Sequence, residues 1–295
     1  MFENFKALKR STLGKVAKTI VVASAADLSS LEAINEAVKE LNIKYKLVGD
    51  SKKITEIADQ IGFNIDKNVI IHTNSEEESA QVSIQLIRDG EAEVLMKGNL
   101  QTATLLKAVL NKENGISSGG VLSHLAVLES PAYSRLMFIT DGGMNIAPDL
   151  TQKKAILENS VSFMHSMGYD CPNVAVLAAA ESVSEKMPET IDAAELVKMN
   201  KNAEIAGCVV EGPLSFDLAI NKESAAIKGF ESKVSGEVDL FLVPNIATGN
   251  IMSKALIYLG GAKMAGCILG AKVPIVLVSR GASAEEKLLS ILLTL

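Results

Sequence analysis

The sequence has no tryptophan, and only 4% of its 295 residues are aromatic. A core of this size must then be built from Ala, Val, Ile and Leu, as in parallel sheets covered by helices. It also lacks a long apolar run, since no stretch approaches the ~18 consecutive apolar residues of a membrane span. Three cysteines, Cys171, Cys208 and Cys267, lie far apart, which excludes a disulfide framework and a C-x-x-C metal site. The three histidines, His72, His124 and His165, show no metal-ligand spacing. A formal charge of -6 argues against the basic field that duplex nucleic acid demands. A soluble protein of the cytosol is expected, with neither nucleic acid nor membrane as partner.

Standard nucleotide fingerprints are missing too. No G-x-G-x-x-G follows the first strand, no G-x-x-x-x-G-K-[ST] occurs, and "LGGAKMAGCILGAK" has the wrong spacings. A G-x-S-x-G elbow is also absent.

What the chain does have is rhythm. Short apolar runs alternate with amphipathic stretches from "TIVVASA" to "PIVLVS", the pattern of βαβ units on a parallel sheet. The first helix, "SSLEAINEAVKEL", carries Ser29 and Glu32 at capping-box spacing. "SFDLAINKESAAIKG" and "NIMSKALIYLGGAKMAG" each read as a single helix. The rhythm breaks once, where "SSGGVLSHLAVLES" and "RLMFITDGG" follow each other without a helix, predicting an antiparallel pair or a crossing between units. At 295 residues two domains are expected, with the change near residue 142. Eight or more βα units would also fit a barrel, which this break disfavours.

Polar residues collect at the carboxyl ends of the expected strands, where open α/β folds bind ligands. They are Lys97, Gly98 and Thr102 in "MKGNLQT", Ser123 and His124 in "LSH", and Asp141, Asn145 and Asp149 in "TDGGMNIAPD". Gly212, Pro213 and Asp217 follow in "EGPLSFD", and Asn245, Gly249 and Asn250 in "VPNIATGN". "SRGASAEE" adds Ser279, Arg280, Ser283 and Glu286. Each alone is as easily a cap or a turn. Lys97 is either a snorkelling lysine or a cation facing a ligand phosphate, and the glycine after it allows a close backbone approach. His124 reads as a satisfied, half-buried histidine or as a catalyst, and Asn145 has no obvious structural duty. Ser283 and Glu286 have the spacing of a second capping box. Arg280 stands just before a helix amino end, where positive charge is unfavourable unless an anion answers it.

Together the runs "LMKGNLQTATLLKAVLNKENG", "VLSHLAVLES", "MNIAPDLTQKKAILENSV", "GPLSFDLAI", "VPNIATGNIMSKALIYLGGAKMAG" and "PIVLVSRGASAEEKL" resemble the phosphate acetyl/butyryltransferases, on the butyryl side. The resemblance implies a fold like the isocitrate and isopropylmalate dehydrogenases: two α/β/α domains with a cleft between them, here 1–142 with 270–295, and 143–269. It implies reversible transfer of a short straight or branched acyl group between coenzyme A and phosphate, with coenzyme A as substrate rather than bound cofactor. It also implies a homodimer or higher homo-oligomer. Ser279 and Arg280 are expected at the acyl-phosphate site. Glu286 stands where acetyl-transferring members carry an aspartate proposed as base, with Glu285 beside it, and Lys107 stands where they carry an arginine. Acetyl transfer, a decarboxylating dehydrogenase of the same fold and a non-catalytic acyl-CoA binder stay open as alternatives.

Overall fold

A computed structural model describes residues 1–278 and 281–295. The chain forms two compact units, Phe5–Gly120 with Ala265–Leu295, and Met1–Asn4 with Val121–Met264. Elements are numbered along the chain.

The first unit contains α1 (Phe5–Thr12), β1 (Thr19–Ala23), α2 (Leu28–Leu41), β2 (Lys44–Gly49), α3 (Ser51–Gln60) and β3 (Ile70–His72). It continues with α4 (Glu76–Arg88), β4 (Val94–Lys97) and α5 (Thr102–Val109). It regains the chain at β10 (Lys263–Leu269), β11 (Ile275–Val276) and α11 (Ala284–Leu293). The strands lie in the order β3-β2-β1-β4-β11-β10. All are parallel except β10, which runs antiparallel to β11. β1 sits between β2 and β4, and Ile20, Val21, Val22 and Ala23 are fully buried, which is why this strand is a continuous apolar run.

Two local expectations change here. The cap of α2 is Asp27, not Ser29: Asp27 stands in extended conformation just before the helix, and its carboxylate accepts from the Ser30 backbone N–H. The helix expected through residue 266 stops at Tyr258, because Gly260 and Gly261 follow, Gly261 at a φ of +67°. "KMAGCIL" is then strand β10; its small residues hide the alternation that marks a strand.

The second unit contains β5 (Ser123–Glu129), β6 (Met137–Thr140), α6 (Leu150–Ser166), β7 (Asn173–Leu177), α7 (Pro188–Lys201) and β8 (Val209–Leu214). α8 (Phe216–Ile220), α9 (Lys222–Ile227), β9 (Leu240–Leu242) and α10 (Ile246–Tyr258) complete it. The expected single helix after β8 is two, because extended Asn221 ends the first and its side chain caps the second. The strand order is β5-β6-β9-β7-β8, with β5 antiparallel to β6 and the rest parallel. The direct strand-to-strand link is the antiparallel pair, with Ala126 opposite Ile139. Because β6 pairs in parallel with β9, the β5–β6 pair belongs to this unit. The units divide after Gly120 and Met264, where the sequence suggested divisions after 142 and 269. Arg135, before β6, is buried and hydrogen-bonds to the Glu237 carbonyl and the Asp239 carboxylate, fastening β6 to the start of β9.

In each unit the parallel strands deliver their carboxyl ends to one edge. In the second unit β5 runs the other way, so its first residues, Ser123 and His124, join that edge.

Candidate active-site residues

In the first unit a polar cavity of about 250 Å³ opens at the ends of β4 and β11. Lys97, the last residue of β4, is 7% exposed and donates from Nζ to the Gly98 carbonyl at 3.2 Å. Gly98 has a structural reason. A Cβ there would lie 2.3 Å from the Ser24 carbonyl oxygen, and its N–H donates to Ala23 at 2.8 Å, so the close approach it permits is between neighbouring strand ends. Thr102 opens α5, whose preceding Gln101 gives its N–H to the Glu76 carboxylate at 2.9 Å.

The second cation of this cavity is Lys287, which sequence reasoning missed. It is 5% exposed, and its Nζ reaches the Asp27 carboxylate together with Ser29 Oγ at 2.7 Å and Ser30 Oγ at 2.8 Å. Burial pushes the Asp27 carboxyl up, but the Lys287 ammonium and the Ser30 hydroxyl and N–H outweigh it and hold the group below its ordinary value. A lysine in the first turn of α11 opposes the helix dipole, the same anomaly noted at Arg280, and that signal could have found it. Ser283 and Glu286 form the capping box their spacing suggested: Ser283 N–H donates to Glu286 Oε2 at 2.8 Å, and Glu286 N–H to Ser283 Oγ at 3.1 Å. Val278 lines the cavity, while Ser279 and Arg280, which follow it, lie outside the described residues.

In the second unit the sequence-selected residues gather round Asp141, at the end of β6. This carboxylate is 2% exposed and takes the backbone N–H groups of Gly143 and Met144 at 2.8 Å and of His124 at 3.0 Å. Asn145 supplies its side-chain amide at 2.6 Å and also donates to the Leu122 carbonyl at 2.9 Å. Asn145 thus has the structural duty that the sequence did not reveal, tying the loop after β6 to the start of β5. Ser123 is fully buried, and its hydroxyl accepts from Asn159 at 3.1 Å. Asn245 caps α10 through Thr248 N–H at 3.0 Å. Gly249 lets α10 lie against the loop, since a Cβ there would come within 2.7 Å of Gly142 Cα, and Asn250 reaches the Gly142 carbonyl at 3.4 Å.

His124 is not fully satisfied. Its Nδ1 is sealed from water and has no partner among the described residues. Burial lowers the pKa of the imidazole, and the nearby Asp141 charge opposes the shift only in part. Among the described residues no group of three or more His, Cys, Asp or Glu is placed to hold a metal ion.

Residues 77–295 match the family described as "Phosphate acetyl/butaryl transferase". The chain belongs to this family. It is 46% identical over 279 residues to the probable phosphate butyryltransferase of Bacillus subtilis (strain 168), covering 94% of this chain and 92% of that protein. A branched-chain phosphotransacylase from Enterococcus faecalis V583, 33% identical, superposes with a TM-score of 0.83 over 94% of this chain and 97% of that one. A 4-hydroxythreonine-4-phosphate dehydrogenase from Burkholderia phymatum shares the fold alone, at 13% identity and a TM-score of 0.58 over 95% and 97% of the two chains. The dehydrogenase-like α/β architecture expected of the family is thus the one present. No helix among the described residues is long and apolar enough to cross a membrane.

Proposed function

We propose that this member of the phosphate acetyl/butyryltransferase family moves a short straight or branched acyl group between coenzyme A and inorganic phosphate, butyryl-CoA plus phosphate giving butyryl phosphate plus coenzyme A. The near full-length likeness to the B. subtilis relative is the observation that carries the reading. The buried lysine at the end of β4 supports it.

In the forward direction a phosphate oxygen attacks the thioester carbonyl carbon, the carbonyl oxygen becomes an oxyanion, and the C–S bond breaks with its electron pair leaving as thiolate. Phosphate is already anionic at neutral pH, so positioning and neutralisation of charge carry the reaction more than proton removal does. Lys97 supplies positive charge at the cavity wall, and Arg280, by its match to the family pattern, binds the phosphate. Lys287 is spent differently: Asp27 balances it, so it shapes the site rather than meeting the substrate. Glu286 serves this site first as the cap that fixes the turn entering α11, since its carboxylate already accepts the Ser283 N–H.

Coenzyme A acts as substrate, without a resident cofactor, and the cytosol is the place of action. A homodimer is part of the reading, supported by the outer face of α10, where Ile251, Tyr258 and Leu259 are 68%, 81% and 89% exposed.

The test is phosphate-dependent thiol release from butyryl-CoA. The wild type should turn over, and Arg280→Ala should lose at least ~10³-fold with its fold intact. Near-normal turnover in that variant would remove Arg280 from the phosphate site.

A further inference from the structure

Four charged side chains line the first unit's cavity at the ends of β4 and β11: Asp27, Glu76, Lys97 and Lys287. Three of them have a clear purpose. Lys287 and Asp27 balance each other, with the Ser29 and Ser30 hydroxyls on the same ammonium, and Lys97 supplies the positive charge that an anion needs. Glu76 is different, because a carboxylate in the wall of an anion cavity repels what the cavity is to hold.

Glu76 opens α4, but it does not cap that helix. Ser75 and Glu78 do so: the Glu78 N–H donates to Ser75 Oγ at 3.1 Å, and the Asn74 N–H to Glu78 Oε2 at 2.7 Å. Glu76, half-buried, reaches across to α5, where its Oε2 accepts the Gln101 N–H at 2.9 Å. Gln101 lines the same cavity, so this bond holds the carboxylate at the cavity wall. Among the described residues it is the carboxylate's only hydrogen bond, and no cation pairs with it. Most of its capacity to accept is therefore left over.

An anion that brings its own proton can use that capacity. Inorganic phosphate carries at least one P–OH at neutral pH, whereas sulfate, tetrahedral and of similar size, carries none. Donation of a P–OH turns a repulsive contact into a charge-assisted hydrogen bond. Sulfate can only set an oxygen lone pair against the carboxylate.

We propose that Glu76 selects the nucleophile of the reaction: its carboxylate accepts the P–OH hydrogen bond of inorganic phosphate and rejects fully ionised tetrahedral anions such as sulfate. The inference rests on the acyl-transfer reading, which brings phosphate to this cavity. The P–OH proton stays on phosphate while an ionised phosphate oxygen bonds to the acyl carbon, so Glu76 acts in selection and not as a base. A site that hydrogen-bonds a substrate hydroxyl rejects analogues without it far more strongly than one that relies on fit alone. Arsenate, which also keeps a proton at neutral pH, passes the same filter.

The measurement is sulfate inhibition of thiol release from butyryl-CoA, read within each protein as the ratio of the sulfate Ki to the phosphate KM at fixed ionic strength. The wild type should give a ratio above about 10², and arsenate should replace phosphate in releasing thiol. Glu76→Gln keeps an oxygen for the Gln101 N–H but loses the charge, so its ratio should fall by about tenfold or more at an unchanged thermal midpoint. A purely structural tie between α4 and α5 would change stability or turnover and leave the ratio where it was. A wild type inhibited by sulfate near its phosphate KM, or a Glu76→Gln ratio equal to that of the wild type, overturns the role. If the wild type releases no thiol from any short acyl-CoA, the acyl-transfer reading fails, and equilibrium dialysis with ³²P-phosphate and ³⁵S-sulfate decides the selection separately. Phosphate held about tenfold or more tighter than sulfate by the wild type, and not by Glu76→Gln, supports it, and equal binding of the two anions by the wild type overturns it.

Discussion

Glu286 carries two readings, and the geometry weights them unequally. One carboxylate oxygen already accepts the Ser283 N–H, in the box that begins α11. A glutamine can make the same hydrogen bond, so Glu286→Gln should keep stability within about 0.5 kcal/mol of wild type, while Glu286→Ala should lose about 1 kcal/mol. Turnover of Glu286→Gln should remain within about tenfold. A loss beyond ~10²-fold at an unchanged thermal midpoint would instead identify proton transfer. This capping box was legible in the sequence because it depends on residues three apart. The duties of Gly98 and Asn145 were not, because each answers a group distant in the chain, Ser24 in one case and Leu122 in the other. For the same reason the unpartnered Nδ1 of His124 could not be read from "LSH".

The tie between α2 and α11 belongs to the element scale, since Asp27 before one helix holds Lys287 in the first turn of the other. The Asp27 carboxyl is held below its ordinary value, so its contribution to stability is fully present above the unfolded pKa of about 3.9 and is lost as pH falls through the folded value. Asp27→Asn should therefore destabilise at pH 7 by about 2 kcal/mol, and its gap to wild type should start to narrow below about pH 4 and close only as pH falls through the lowered folded value. Thermal melts of both proteins from pH 3 to 7 check this. A gap that persists unchanged at pH 3 would mean that packing, not charge, makes the tie. The βα alternation reads cleanly in the sequence wherever apolar runs are Val- and Ile-rich, as in β1. It fails at β10, where Ala, Gly and Met blur the period and only Gly260 and Gly261 mark the helix end.

Over the whole molecule, composition and rhythm foretold the α/β class, and strand-end positions foretold most of the polar clusters. The division of the chain was harder to read, because the rhythm breaks within one unit, at the β5–β6 pair, rather than between units. The exposed apolar face of α10 has the same scale of consequence. The proposed homodimer through this face predicts a dimer in sedimentation velocity that Ile251→Glu and Tyr258→Glu together convert to monomer; a wild type that sediments as a monomer, or a dimer that survives both changes, would contradict that interface. The acyl transfer proposed for the molecule is tested most directly by ³¹P NMR of the product formed from butyryl-CoA and inorganic phosphate. A new acyl phosphate resonance should grow in step with free thiol and be consumed on adding excess coenzyme A. Thiol release without an acyl phosphate signal, or no reaction across a panel of short straight and branched acyl-CoAs, would contradict it.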